Sequence, residues 1–145
     1  MTEWQVVRKR VRVLTQPTQR KSRDEISKLV LMVVQEWIPS GIRLLAIYGS
    51  VGRNTHTKHS DVDIVVIVNN KHPFNEWAEL ASCLKQRLGL SVDLIMLQFA
   101  DKAVDHTDVD FYENVLTDAH CLIGNSPSDV FFSVLRGKWI RGVSK

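Results

Sequence analysis

Cysteine is scarce, with Cys83 and Cys121 the chain's two thiols. Both sit in apolar patterns, so no disulfide framework is expected and reduced, buried thiols are. His56 and His59 lie three apart but lack a cysteine pair or a further histidine at ligand spacing, which points to solvated loop histidines rather than zinc ligands. His106 and His120 have no such companions either. No apolar run approaches the ~20 residues of a membrane span, and the polar start Met1-Thr2-Glu3-Trp4 is unlike a secretory signal. A cytoplasmic protein without membrane contact is therefore expected. Gly-x-Ser-x-Gly is missing and Ser50 has no base in sequence reach, which argues against a serine hydrolase. Neither repeats nor low-complexity tracts occur, and 145 residues suit one domain with a sizeable core.

What is present begins with charge. The formal net charge is a mild +3, unevenly placed. Arg8, Lys9, Arg10, Arg12, Arg20, Lys21 and Arg23 crowd the start of the chain. Over residues 5–14, Val7, Val11 and Val13 alternate with Arg8, Arg10 and Arg12, a period of two that predicts a half-buried strand, apolar inside and basic outside. The basic side suits nucleic acid, an acidic partner, nucleotide phosphates or plain solvent.

Further on, helical and extended patterns alternate. Ser22-Arg23-Asp24-Glu25 reads as a capping box opening a helix whose stripe is Ile26, Leu29, Val30, Val33, Val34 and Trp37. Pro39-Ser40-Gly41 stops it. A second helix is expected over Phe74–Leu88, with Trp77, Leu80, Ala81, Leu84 and Leu88 on one face and Gly89 as its stop. Trp37 and Trp77 are expected in the core, whereas Trp4 and Trp139 lie outside apolar stripes. Strands are expected over Ile42–Tyr48, 90–97 and 119–123, with helices over much of 101–117 and 128–135. The alternation predicts an α/β (α+β) domain.

One stretch, residues 44–68, concentrates the chemistry. Two short apolar runs, read as buried strands, flank Gly49-Ser50-Val51-Gly52-Arg53 and a polar loop. That turn offers backbone N–H groups, a hydroxyl and a guanidinium to a phosphate. Asp61 and Asp63 sit two apart at the mouth of the second strand, so they point to the same side. Adjacent carboxylates repel unless a cation lies between them, and Mg²⁺ shared with substrate phosphates is the natural occupant. Phosphoryl or nucleotidyl transfer is the chemistry this suggests.

Gly49-Ser50, ten intervening residues and Asp61-Val62-Asp63 resemble the signature of the nucleotidyltransferase superfamily that includes DNA polymerase beta. The fuller Gly49 to Arg53 and Ser60 to Ile64 pattern is similar to the minimal nucleotidyltransferases (MNT). Asp93, within Val92-Asp93-Leu94-Ile95, stands where that family carries its third carboxylate. One departure is Asn54, where a glycine is usual; Asn also tolerates the left-handed conformation, so the turn is expected to survive. The resemblance implies a mixed central β-sheet flanked by helices in a single domain. The resemblance covers roughly residues 31–123, and the chain is expected to divide into a basic strand and connector (1–21), the nucleotidyltransferase core (22–125) and a C-terminal extension (126–145). The resemblance further implies Asp61 and Asp63 bridging two Mg²⁺ ions, Asp93 completing the second and serving as base, and Gly49, Ser50 and Arg53 holding the triphosphate of ATP. Lys58 is a weaker phosphate candidate.

Relatives of this kind commonly act as antitoxins that adenylylate a tyrosine of a HEPN ribonuclease toxin. The implied function is Mg²⁺-dependent transfer of AMP from ATP to a hydroxyl, with a HEPN-type toxin as protein partner. The length leaves no room for the further helical domains with which larger members hold RNA, DNA or an antibiotic. Three alternatives stay open: a non-catalytic nucleotide- or partner-binding module, a small-molecule (antibiotic) nucleotidyltransferase, and nucleic-acid binding through the basic strand.

Overall fold

The computed structural model describes residues 5–17, 19–68, 72–100 and 119–124. The helices expected over 101–117 and 128–135, Trp4, Trp139 and His106 lie outside them. β1 (Gln5–Val13) leads through the connector to α1 (Arg23–Trp37), followed by β2 (Ile42–Tyr48), the single turn α2 (Gly49–Gly52), β3 (Val62–Val68), α3 (Phe74–Leu88), β4 (Val92–Ala100) and β5 (His120–Ile123). The strands form one sheet in the order β1-β4-β3-β2-β5. β3 and β4 pair in parallel while the other pairs are antiparallel. Parallel neighbours need a crossover connection, and α3 supplies it. This is the mixed sheet with helices that was expected.

Local chemistry explains the element ends. The Ser22 hydroxyl accepts from the Glu25 N–H at 3.1 Å, and the Ser22 N–H donates to Glu25 Oε1 at 3.2 Å. This reciprocal pair satisfies donors that a helix start otherwise leaves orphaned. α3 stops at Gly89, which adopts φ 67° and closes the last turn through its N–H to Lys85. β4 starts at Val92, two residues later than its sequence suggests. Ser91 is spent on bridging instead: its carbonyl accepts from Val62 N–H at 2.8 Å, and its hydroxyl accepts from Thr15 N–H at 2.9 Å.

α1 and α3 cover one face of the sheet. Ile26, Val30, Val33 and Val34 of α1, with Trp77, Leu80, Ala81 and Leu84 of α3, pack on Leu45, Ile47, Ile64, Val66, Leu94 and Met96. Val11 and Val13 complete this layer from β1. Burying each of the Val, Leu, Ile and Met side chains among these is worth about 1.5–3 kcal/mol before entropy is charged against it. Trp37 departs from expectation: at the last turn of α1 it is 37% exposed. No helix among the described residues is long and apolar enough to cross a membrane.

Candidate active site

The opposite face of the sheet carries the acidic residues at one end. Strand register lines up Tyr48 with Asp63, Asp63 with Asp93, and Asp93 with Arg12, a single row across β2, β3, β4 and β1. The next row, Ala46, Val65, Ile95 and Arg10, lies deeper along the strands. Behind the carboxylates this face is apolar, with Val65, Ile67 and Leu97 all buried. The charged groups thus sit at the rim of a dry layer, where interactions between charges are stronger than in water.

The turn after β2 is shaped for this row. Gly49 has φ 66°, a conformation that costs any other residue strain, and a Cβ built there would meet Asp63 Oδ2 at 2.3 Å. Glycine thus suits the position twice: it takes the backbone conformation freely, and it leaves the Asp63 carboxylate where it is. Arg53 N–H donates to Gly49 O at 3.0 Å and Thr55 N–H to Ser50 O at 2.8 Å, which knit the turn together. Asn54 sits at φ 61°, the left-handed conformation expected of it. Ser50 is half-buried within α2, and Arg53 is exposed at its end. Ser50 does not cap this turn, whose N-cap is Tyr48 and has no side-chain bond.

The three carboxylates meet different fates. Asp93 is buried and held by Arg10, whose Nε donates to Oδ1 at 2.8 Å while Nη2 donates to Oδ2. Asp61, just before β3, is held by Arg12 through Nε at 3.0 Å and Nη2 at 2.8 Å, both to Oδ2. Asp63 stands between them without a hydrogen bond or ion pair among the described residues. Burial first, then the charges of Asp93 and Asp61, push its carboxyl up to about 6, against the smaller opposing pull of Arg10 and Arg12. The Arg10 guanidinium is in turn held more firmly in its charged form, chiefly by its bond to Asp93.

Among the described residues, no three His, Cys, Asp or Glu side chains converge as a ready metal-binding group. Two of the expected carboxylate ligands are turned to guanidinium cations instead. The donor chemistry nonetheless suits Mg²⁺: the ligands are hard oxygens, two lie side by side in register, and positive charge is already drawn to the other two sides of the cluster. By donor type Asp61, Asp63 and Asp93 suit a divalent cation, while in this arrangement Arg10 holds Asp93 and Arg12 holds Asp61.

Comparison with known proteins gives the family. The family model described as "Polymerase beta, Nucleotidyltransferase" matches residues 38–127, from the end of α1 past β5. The protein belongs to this nucleotidyltransferase family. Two Methanocaldococcus jannaschii proteins provisionally named protein adenylyltransferases, MJ1379 and MJ0128, are 43% and 36% identical over 56 and 55 residues. These stretches are 37% and 38% of the chain and span 56% of each relative's length. Among solved structures, a toxin–antitoxin crystal structure with AMP-PNP shares the fold at TM-score 0.60 and 22% identity, over 81% of this chain and 89% of that one. The complex of the tri-AMPylated Shewanella oneidensis HEPN toxin with MNT antitoxin matches at TM-score 0.57 and 21% identity, over 84% and 89% of the two chains.

Several site residues of this nucleotidyltransferase-family chain escaped the sequence. Arg10 and Arg12, though exposed on the basic side of β1, are both paired with carboxylates of the site. The alternation of arginine and valine along β1 was the available signal, but it does not say which strand lies beside it. His56 is buried, contrary to the solvated loop histidine expected, with Nε2 bonded to the Lys21 carbonyl at 2.6 Å. Arg20 Nε donates to His56 O at 3.1 Å and Arg23 Nη1 to Gly52 O at 3.2 Å. The connector after β1 and the start of α1 thereby clasp the turn and loop between Gly52 and His56. His59 is exposed as expected.

Proposed function

We propose that this protein is a Mg²⁺-dependent nucleotidyltransferase that moves AMP from ATP onto a hydroxyl, with a protein as acceptor. The observation that carries the proposal is the side-by-side register of Asp63 and Asp93, with Gly49 leaving room for the Asp63 carboxylate beside the Gly-Ser turn. Membership of the nucleotidyltransferase family supports the reaction class.

In this proposal Asp61, Asp63 and Asp93 hold the cation, while Gly49, Ser50 and Arg53 contact the β- and γ-phosphates. Bound Mg²⁺ would neutralise phosphate charge and lower the pKa of the attacking hydroxyl. The acceptor oxygen forms a bond to the α-phosphorus as the bond to the bridging α–β oxygen breaks, and pyrophosphate leaves with that electron pair. Asp93 is assigned the hydroxyl proton, as the carboxylate on the strand after Asp63. The apolar layer behind it limits water that would compete as acceptor. Arg53 offsets charge that builds on the departing pyrophosphate.

A protein acceptor is favoured by the relatives provisionally named protein adenylyltransferases. A fold shared with the MNT partner of an AMPylated HEPN toxin makes a HEPN-type toxin the proposed target, in a cytoplasmic antitoxin role. The experiment combines purified protein, Mg²⁺ and each of the four labelled nucleoside triphosphates with lysate of the source cells, then intact-mass spectrometry. The expected result is a mass gain of AMP on one cellular protein, lost with Asp61→Asn/Asp63→Asn. Transfer by neither form, with a partner still co-purifying with both, would leave a contact-only regulator in its place.

A further inference from the structure

The N-terminal strand brings positive charge to carboxylates that the proposed reaction needs for a divalent cation. Arg10 grips both oxygens of buried Asp93, and Arg12 makes two contacts to one oxygen of Asp61. These are not chance surface pairs. Both arginines come from the basic side of β1, whose antiparallel register with β4 sets Arg12 opposite Asp93 and Arg10 opposite Ile95. Each side chain then reaches past its register partner to a carboxylate one row on. β1 is also pinned where it leaves the sheet, by the paired hydrogen bonds of Thr15 and Ser91 at 2.9 and 3.3 Å. Beyond that point, Arg20 of the connector bonds to His56 and Arg23 at the start of α1 to Gly52.

Charge counting says what such an arrangement is for. Three carboxylates and two guanidiniums leave the cluster at a net −1, whereas the carboxylates alone would hold −3 at the edge of a buried layer. A nucleoside triphosphate carries a charge near −4 and two divalent cations +4, so their arrival together leaves the balance unchanged. Their arrival displaces the guanidiniums from the carboxylates but keeps them beside phosphate oxygens, which Arg binds through the same planar fork. Arg10 and Arg12 are 61% and 53% exposed at the side chain, so both have room to turn.

We propose that Arg10 and Arg12 are exchangeable cations of the nucleotide site: they hold Asp93 and Asp61 closed against free divalent ions, and pass to the triphosphate when metal and nucleotide bind together. The inference rests on the metal-site reading of the three aspartates. It adds a consequence that reading lacks, namely that free cation binds poorly and the metal–nucleotide complex binds well.

The test compares wild type with Arg10→Gln/Arg12→Gln, using Mn²⁺ as probe and calorimetry or electron paramagnetic resonance as readout, with and without a non-hydrolysable ATP analogue. The expected result is that the variant binds Mn²⁺ alone about tenfold more tightly, because two charge-assisted pairs no longer compete, and binds the Mn²⁺–analogue complex about tenfold more weakly. Circular dichroism verifies the fold. Arg12→Gln by itself, at the more exposed pair, gives the same two-way change in smaller measure should the double variant not fold. Equal or weaker Mn²⁺ binding by a folded variant overturns the competition, and unchanged analogue binding overturns the hand-over. Mn²⁺ bound by neither protein, with or without the analogue, overturns the metal site itself and this inference with it.

Discussion

Replacing Gly49 by alanine separates what the turn costs from what it does. The residue sits at φ 66°, where a side chain costs about 1 kcal/mol of backbone strain. Gly89 at the end of α3 has φ 67° and carries the same penalty, but a Cβ there meets nothing within 4 Å. At Gly49 the new Cβ would stand 2.3 Å from Asp63 Oδ2, whereas ordinary contact starts at 3.4 Å. The carboxylate must then withdraw by about 1 Å, a displacement that costs about 10²-fold when it misplaces a group at the reacting centre. Gly49→Ala and Gly89→Ala should both lower the melting temperature by about 3 °C, from the strain they share. Only Gly49→Ala should lose nucleotidyl transfer, by about 10²-fold, equivalent to about 2.7 kcal/mol of transition-state stabilisation. Thermal melts and initial rates on both variants check this. Equal transfer rates for the two would refute the claim that Gly49 is there to admit the Asp63 carboxylate.

Other outcomes follow from the same geometry. Because the Asp63 carboxyl is raised to about 6 in the folded chain, it favours folding below its unfolded value near 4, and that contribution is lost as pH rises through 6. In chelator, wild type should therefore lose stability relative to Asp63→Asn between about pH 4 and pH 7, and a pH-independent gap in denaturant midpoints would contradict it. Asp93→Asn removes the charge that Arg10 grips, so transfer should fall by at least about 10²-fold, and a rate within a few-fold of wild type would remove Asp93 from the site. Ser22→Ala breaks the capping box of α1 and should cost about 1 kcal/mol in urea titration with transfer unchanged. His56→Ala leaves the Lys21 carbonyl without its bond, at about 1–3 kcal/mol, and should raise KM for the nucleotide more than it lowers kcat.

Much of the fold was legible because the signals are local. Ser22 and Glu25 announce the start of α1 by a three-residue spacing, and Gly89 announces the end of α3 by being able to adopt φ 67°. The apolar stripes of both helices and the runs 42–48 and 62–68 set the elements within a residue or two. Trp37 failed because a stripe position at the last turn of a helix can overhang the layer it packs on. His56 failed because burial of a polar loop residue depends on the chain that returns over it, here the carbonyl of Lys21.

By itself, then, the sequence determined the acidic pair Asp61 and Asp63, the glycine turn before them and the third carboxylate at Asp93. The pair and the turn are matters of spacing along a strand or turn, which short-range stereochemistry enforces, whereas Asp93 was reached only through the family resemblance. Only the tertiary structure decided that β1 lies beside β4, that Arg10 and Arg12 thereby face Asp93 and Asp61, and that Gly49 leaves its space to Asp63. Strand order is set by which buried faces pack together across the whole sheet, and no spacing within a single segment encodes it.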